Sequence, residues 1–349
     1  VSLKSGRKNL IINGAMQVAQ RGTTATTIGT NKYTTCDRFL QEFPPAVFSV
    51  DTSQETDAPS GFVYSNKFAL TSGASLGVSE YAIPFEYRVE GYDATRLGWG
   101  TVEAREVTLS FWIKSNRTGI NTVDFTMQGG GTNPFIARQY TINSANTWEY
   151  KTVTIPAHTT ATSINYANTN AFSIFWWAAA GSDFNSGAIA SSWGVQTPAN
   201  RAVGTTSTVS TGDYWQMTGV QLEVGSVATD FEHRSYGEEL ALCQRYYQAY
   251  VGTAQFMSMG LAGAAQSGTW AECAHQFPEM RVAPTAAISA AGTFYILGAN
   301  EGIATSATIF NTTKTASRIA IYKAGLVAAQ AFTLAAQNSS ARISYDAEL

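Results

Sequence analysis

The sequence predicts an all-β protein, and three observations carry that prediction. Only 13% of the 349 residues are charged, while 44% are hydrophobic; an average globular chain has about 25% charged residues. Thr, Ser, Asn, Gly and Ala fill the difference, a mixture that suits extended strands and polar turns. Apolar residues recur at every second position in many short runs, and Gly-, Asn- and Ser-rich stretches separate those runs.

The runs can be taken in order. FVYSNKFAL (62–70) groups Phe62, Tyr64, Phe68 and Leu70. VTLSFWIK (107–114) puts Val107, Leu109, Phe111 and Ile113 on one face, and Thr108, Ser110, Trp112 and Lys114 on the other. TVDFTMQ (122–128) turns Val123, Phe125 and Met127 inward. WEYKTVTIP (148–156) opens with Trp148 and Tyr150 on one face, then switches to Val153 and Ile155. That phase slip predicts a bulge near Lys151–Thr152. FSIFWW (172–177) is apolar on both faces, as a strand covered on both sides would be. YWQMTGVQLEV (214–224) keeps Tyr214, Val220, Leu222 and Val224 in phase. Turn signals stand at SNRTG (115–119), GGGTNP (129–134), SANT (144–147) and GSDFNSG (181–187). Many short strands at such spacing predict two sheets packed face to face, a jelly-roll β-sandwich over residues 1–235.

YGEELALCQRYYQAY (236–250) changes period. Tyr236, Leu240, Cys243, Tyr247 and Tyr250 form one helical stripe, which predicts a short connecting helix over 236–250. Ser235 is its expected N-cap, with Glu238 three residues on as a capping box. The spacing also fits a seam between subunits, which makes Tyr236, Leu240, Cys243 and Tyr247 candidate oligomer-interface residues. Residues 251–349 read as a smaller C-terminal β domain. Its expected strands lie at 256–262, 269–277, 285–291, 293–298, 306–310, 317–323 and 341–347, with PEMRVAP (278–284) as a loop.

Net charge is −3 with no basic run, so nucleic acid is not an expected partner. The longest apolar stretches, such as AFSIFWWAAA (171–180), are too short to span a bilayer, so no membrane insertion is expected. VSLKSGRKNL has a basic start without the apolar core of a signal peptide. Cys36, Cys243 and Cys273 make no disulfide framework and read as small buried hydrophobes made in a reducing cytoplasm. His158, His233 and His275 lie far apart, without zinc-site spacing, and no cofactor is expected.

Catalytic motifs lack their frames. GASLG (73–77) matches a nucleophile elbow around Ser75, but Pro84 and no helical stripe follow it. GGG (129–131) lacks the Lys-Ser/Thr ending of a phosphate loop. The pairs Glu86 and Glu90, Asp51 and Asp57, and Asp230 and Glu232 are formal glycosidase candidates with no distinctive surroundings. QLEVGSVATDFEHRSYGEE (221–239) concentrates charge, including Glu223, Glu232, His233 and Arg234. Adjacent strand residues point to opposite faces, so Glu232 and His233 would not converge. The stretch reads as a joint between the last sandwich strand and the helix, built from helix-cap acids and ion pairs.

Aromatic residues are more informative. Trp99 in RLGWGT and Trp193 in SSWGV are glycine-flanked, Trp112 stands on the polar face of its strand, and Trp177 points opposite to Trp176. Such rings can cover the C–H faces of a sugar while nearby polar groups take its hydroxyls. Trp99, Trp193, Trp112 and Trp177 are therefore candidate glycan-binding residues, with core or interface packing as the competing use of each.

Several segments together resemble a known family. NLIINGAMQVAQRGT (9–23), YTTCDRF (33–39), EYRVEGYDATRLGWGTVEAREVTLSFWIKSNRTG (86–119) and TGVQLEVGSVATDFEHRSYGEELALCQRYY (218–247) resemble the sandwich domain of tailed-phage tail fibres and related virion proteins. HQFPEMRVAPTAAIS (275–289) and ISYDAEL (343–349) are similar to its C-terminal extension. The resemblance implies a jelly roll similar to carbohydrate-binding modules. It also implies a homotrimeric fibre on the virion exterior, attached to other virion proteins and binding host cell-surface glycan without catalysis. Two rivals stand beside it: a structural capsid or tail decoration protein, and a polysaccharide-degrading tailspike. No internal repeat of fixed period supports the latter.

Overall fold

The computed structural model describes residues 7–44, 47–128, 133–160, 164–298 and 300–349; the glycine turn expected at 129–131 and the opening VSLKSG lie outside them. The protein is all-β with a short helix, Tyr236–Gln244. It divides into two compact units, Val1–Leu240 with Leu349, and Ala241–Glu348.

The first unit is a sandwich of two antiparallel sheets, the jelly-roll type that the strand spacing predicts. One sheet has six strands, in the order Thr24–Ile28, Val50–Glu55, Ser65–Leu70, Tyr214–Val224, Val107–Ser115 and Glu149–Ile155. The path of the other, an eight-stranded sheet, runs Gly194–Val195, Pro134–Ile142, Gly119–Met127, Asn170–Trp177, Tyr81–Glu90, Phe39–Glu42 and Lys32–Tyr33, with Ala179–Ala180 also paired to Tyr81–Glu90. Val107, Leu109, Phe111 and Ile113 are all buried, as their alternation requires. The Phe111 ring lies 5.2 Å from Tyr140 and 5.9 Å from Trp176, which brings the two sheets together across one apolar core.

The bulge falls in a different strand from the one expected. Glu149–Ile155 pairs with Val107–Ser115 without interruption, from Glu149 opposite Ile113 to Ile155 opposite Val107. The hydrophobic phase changes there because Tyr150 faces outward while Val153 and Ile155 face the core. The irregularity lies in Tyr214–Val224, where Thr218 stands opposite Trp112 but Gln221 opposite Ser110, one residue too many. Trp215 and Met217 enter the core before it, Val220 and Leu222 after it.

Asn170–Trp177 is buried on both faces, as its composition predicts. Phe175 and Trp177, on the side away from the main core, join Ile83, Ala180 and Ala202 in a second apolar cluster with Tyr81 and Phe184 packed against it. Asp124 anchors this layer: its Oδ2 accepts from Trp177 Nε1 at 2.6 Å and from Arg201 Nε at 3.0 Å. The Arg201 guanidinium lies 4.6 Å from the Phe175 ring centroid and 4.7 Å from that of Trp177.

The helix begins where expected, with the Glu238 amide donating to Ser235 Oγ at 3.3 Å. It ends at Gln244, well short of residue 250. Tyr247–Val251 is a strand paired with Arg342–Asp346. Consecutive burial of Tyr246, Tyr247 and Gln248 marks backbone covered on both faces, which a surface helix cannot offer.

The second unit holds a seven-stranded sheet in the order Gly302–Ile303, Phe294–Leu297, Ala331–Ala336, Ser258–Ala265, Trp270–Gln276, Ala316–Tyr322 and Ser306–Phe310. A three-stranded sheet runs Tyr247–Val251, Arg342–Asp346 and Thr285–Ile288. Ala331–Ala336 is a strand that alanine content conceals. All three cysteines are buried, as expected.

Candidate functional site

A groove of about 330 Å³ opens on the outer face of the six-stranded sheet, lined by Trp112, Tyr150, Phe62, Phe231 and His233, with Ser60, Gly61, Ser110, Gly219 and Ala228–Asp230 between them. Strand alternation supplies its first wall. Trp112 occupies an outward position and Tyr150 lies directly opposite on the next strand. Their rings are 5.3 Å apart at 47°, and Tyr150 is exposed. Phe62, from the loop before Ser65–Leu70, and Phe231 and His233, from the segment after Tyr214–Val224, supply a second group of rings. Phe62 lies 5.0 Å from Phe231 and 5.4 Å from His233, and those two are 4.9 Å apart.

Gly219, in the bulge, lets these groups meet. A Cβ there would stand 2.7 Å from Phe62 Cζ and 3.0 Å from Trp112 Cδ1, and the residue has φ of 63°. The sequence thus places a glycine where two aromatic side chains must approach the backbone.

The charge cluster at 221–239 holds the second wall in place. Glu223 accepts from the Thr229 amide at 2.9 Å and from its hydroxyl at 2.6 Å. Glu232 accepts from the Lys8 amide at 3.1 Å and the Asn9 amide at 2.8 Å. Arg234 donates to the Asn9 carbonyl at 2.6 Å and the Ile11 carbonyl at 3.0 Å, and pairs with Glu232 and Glu239, each at 3.2 Å. Partial burial raises the Glu232 pKa, but the two amides and Arg234 outweigh it and hold the carboxyl below the usual range. The acids are structural fasteners, as the reading of a joint expects, and they tie the N-terminal segment 8–13 to the end of the sandwich.

Farther along the same face, Lys114 Nζ bonds Asp57 Oδ2 at 2.6 Å, and Trp148 Nε1 donates to Asp57 Oδ1 at 3.1 Å. The Lys114 bond holds the Asp57 carboxyl below its ordinary pKa. Tyr214 donates its hydroxyl to Asn146 Oδ1 at 2.7 Å. The face therefore runs from an aromatic groove to a polar strip. It can cover an apolar ligand surface with rings while exposed Ser60, Thr229, Asp230 and His233 address polar groups at the edge.

Of the four predicted tryptophans, Trp112 lies in this groove. Trp99 is only 2% exposed, packed 5.0 Å from Phe172, with Nε1 donating to the Arg105 carbonyl at 2.7 Å. Trp177 is 1% exposed. Neither offers a ring face to a ligand, which removes both from the binding set: the flanking glycines turn Trp99 inward, and the 182–206 region covers Trp177. Trp193 is half-buried, 5.2 Å from Trp99 and 5.1 Å from His158, with Nε1 on the Pro156 carbonyl at 2.7 Å. Tyr150, Phe62 and Phe231 are groove rings outside the predicted set; the broken hydrophobic phase at Tyr150 is the one signal of them in the sequence.

The expected interface stripe is also corrected. Cys243 and Tyr247 are buried within the single chain, Leu240 is half-buried, and only Tyr236 of the four is exposed, at 57%. The stripe breaks because Tyr247 belongs to a strand. Among the described residues, no group of three His, Cys, Asp or Glu side chains is placed to hold a metal ion, and no helix is long and apolar enough to cross a membrane.

No protein-family profile matches the chain, and no curated protein matches it. Solved structures give distant likenesses. The enzymatically active domain of tailspike protein 4 from bacteriophage CBA120 is 12% identical with a TM-score of 0.32, the match covering 62% of this chain and 22% of that one. TmCBM61 in complex with β-1,4-galactotriose is 9% identical with a TM-score of 0.32, covering 63% of this chain and all, 100%, of that one. The N-terminal CBM22-1–CBM22-2 tandem domain of Xyn10C from Paenibacillus barcinonensis is 8% identical with a TM-score of 0.31, covering 100% of each chain. The chain therefore spans about a fifth of the length of the tailspike it matches.

Proposed function

We propose that the chain is a non-catalytic, glycan-binding protein of a virion exterior fibre, which attaches a tailed phage to host-surface glycans. The observation that carries this reading is the groove: the Trp112–Tyr150 pair and the Phe62 group meet over Gly219, beside exposed polar side chains. Rigid rings with polar edges suit a ligand that is apolar on its faces and hydroxylated at its rim. The sequence segments at 9–23, 86–119 and 218–247 support the placement on a phage fibre. Several copies in a homotrimer would raise weak single-site binding through effective concentration.

The non-catalytic reading rests on the lining. Among the described residues of the groove, Asp230 is the one carboxylate, whereas glycoside hydrolysis uses two carboxyl groups roughly 5–9.5 Å apart. A structural decoration role is the rival reading. A glycan array and competition of the purified protein against phage adsorption separate the two. Trp112→Ala and Tyr150→Ala should each weaken binding at least about tenfold, equivalent to ~1.4 kcal/mol, with the melting transition retained. Normal binding in both variants would put the ligand elsewhere. Absence of any glycan binding by the native protein would favour the decoration role, and release of product from host polysaccharide would establish catalysis.

A further inference from the structure

Beside the groove, the same sheet face carries one more ring. Trp148 stands two residues before Tyr150, just ahead of Glu149–Ile155, so the two side chains share the outward face about 7 Å apart along the strand. The Trp148 indole is half-buried and fixed in place. Its Nε1 donates to Asp57 Oδ1 at 3.1 Å; Lys114 Nζ bonds Asp57 Oδ2 at 2.6 Å and lies 6.0 Å from the ring centroid. Asp57 belongs to the same connection, 56–64, that brings Phe62 to the groove.

The turn that carries Trp148 is braced as well. Glu149 accepts from the Asn143 amide at 2.8 Å and the Ser144 amide at 2.7 Å. The Asn146 backbone amide donates to the Ser115 carbonyl at 2.7 Å, and its side-chain oxygen accepts from the Tyr214 hydroxyl at 2.7 Å, which leaves its exposed side-chain N–H₂ as a donor. With Asp57 50% exposed, the Lys114 pair adds only about 0–1 kcal/mol to stability. Its larger effect is on position: the ring and the polar groups around it are held ready, which lowers the ordering cost of binding.

Charges of both signs stand along this path. Asp230 lines the groove, Asp57 and Lys114 lie beside Trp148, and Lys67 Nζ is 5.0 Å from the Tyr214 ring centroid. A polyanion would meet the two acids and a polycation the two lysines. An uncharged, hydroxylated chain meets neither repulsion and can bond to all four.

We propose that this face binds a linear, uncharged oligosaccharide and not a lone terminal sugar, with one unit on the Trp112–Tyr150 pair and a further unit on Trp148, where Asp57 and Asn146 bond its hydroxyls. The proposal rests on the reading of the groove as a glycan site and names the class of glycan.

The test is calorimetric titration of the full chain with cello-, malto-, manno- and chito-oligosaccharides, from monosaccharide to pentasaccharide, and with oligogalacturonate. In at least one neutral series the dissociation constant should fall about tenfold or more when one added unit reaches Trp148. Trp148→Ala should erase that gain and leave the affinity of the shorter member unchanged, which also shows an intact fold. Oligogalacturonate should bind at least about tenfold more weakly than the neutral series. An affinity independent of length, a gain that survives in Trp148→Ala, equal binding of oligogalacturonate, or no binding in any neutral series overturns the proposal. The groove reading is decided separately, by glycan-array binding of Trp112→Ala: binding lost there but indifferent to Trp148 keeps the groove and removes the second subsite.

Discussion

Gly219 sets the shape of the groove. Its φ of 63° and the 2.7 Å approach of Phe62 to the place of a Cβ leave no room for a larger residue. Gly219→Ala should therefore destabilise the first unit by about 1–2 kcal/mol through left-handed backbone strain and ring displacement. It should also weaken glycan binding as strongly as Trp112→Ala does. Chemical denaturation and glycan affinity measured on the same variant check both effects. At this scale the sequence was partly legible. Trp112 could be placed outward because seven neighbouring residues alternate around it. Trp99 and Trp177 could not be placed, because what covers them comes from residues distant in the chain. Tyr150 carried a readable signal, an outward aromatic in an unbroken strand, but a bulge explains the same pattern from sequence alone.

At the scale of elements, the strand Tyr214–Val224 and the acidic stretch after it act together. Glu232 has a depressed pKa in the folded state, so its carboxylate stabilises the fold above the ordinary carboxylate value. That contribution is lost as the pH falls through the lower, folded value. Glu232→Gln should cost about 1 kcal/mol at neutral pH, a figure kept small because the side chain is 25% exposed. The difference from the native protein should vanish in acid, below the folded value. Melting curves of the two proteins across pH 7 to 2 would show it; a difference independent of pH would assign the effect to shape instead of charge. The helix start was legible here because Ser235 caps it through a local bond. Its end was not, since Tyr247 continues the 3–4 spacing while its backbone pairs with a strand almost a hundred residues later.

At the scale of the whole molecule, a buried histidine links the stability of the second unit to pH. In the second, His275 is buried, its Nδ1 2.8 Å from the Tyr345 hydroxyl, which also meets Ser317 Oγ at 2.6 Å. Burial pushes the imidazole pKa down to about 4. The unfolded chain takes up this proton near its ordinary value of 6.5, so stability should fall as the pH drops from 6.5 toward about 4. The loss is at most ~3 kcal/mol. His275→Phe should flatten that slope in the second unit's melt, followed by hydrogen exchange on Trp270–Gln276. An unchanged slope would mean that another group takes the proton. Fold class was legible at this scale because composition and alternation are summed over the whole chain, so single errors, such as the hidden strand Ala331–Ala336, do not overturn it.

The fasteners between residues 8–13 and 220–239 join positions 211 to 226 apart in the chain. During synthesis, then, the first unit has its opening segment long before it has the residues that hold it. At ribosomal rates of about 5–20 residues per second, roughly 12–48 s pass before Leu240 is made. For most of that interval the six-stranded sheet lacks its inner strand, Tyr214–Val224, and the nascent chain is open to wrong pairing. The second unit repeats the arrangement, with its first strand waiting for Arg342–Asp346. Each unit is thus completed only near the end of its own translation, one after the other, and a ribosome stalled near residue 200 would carry a chain that cannot close.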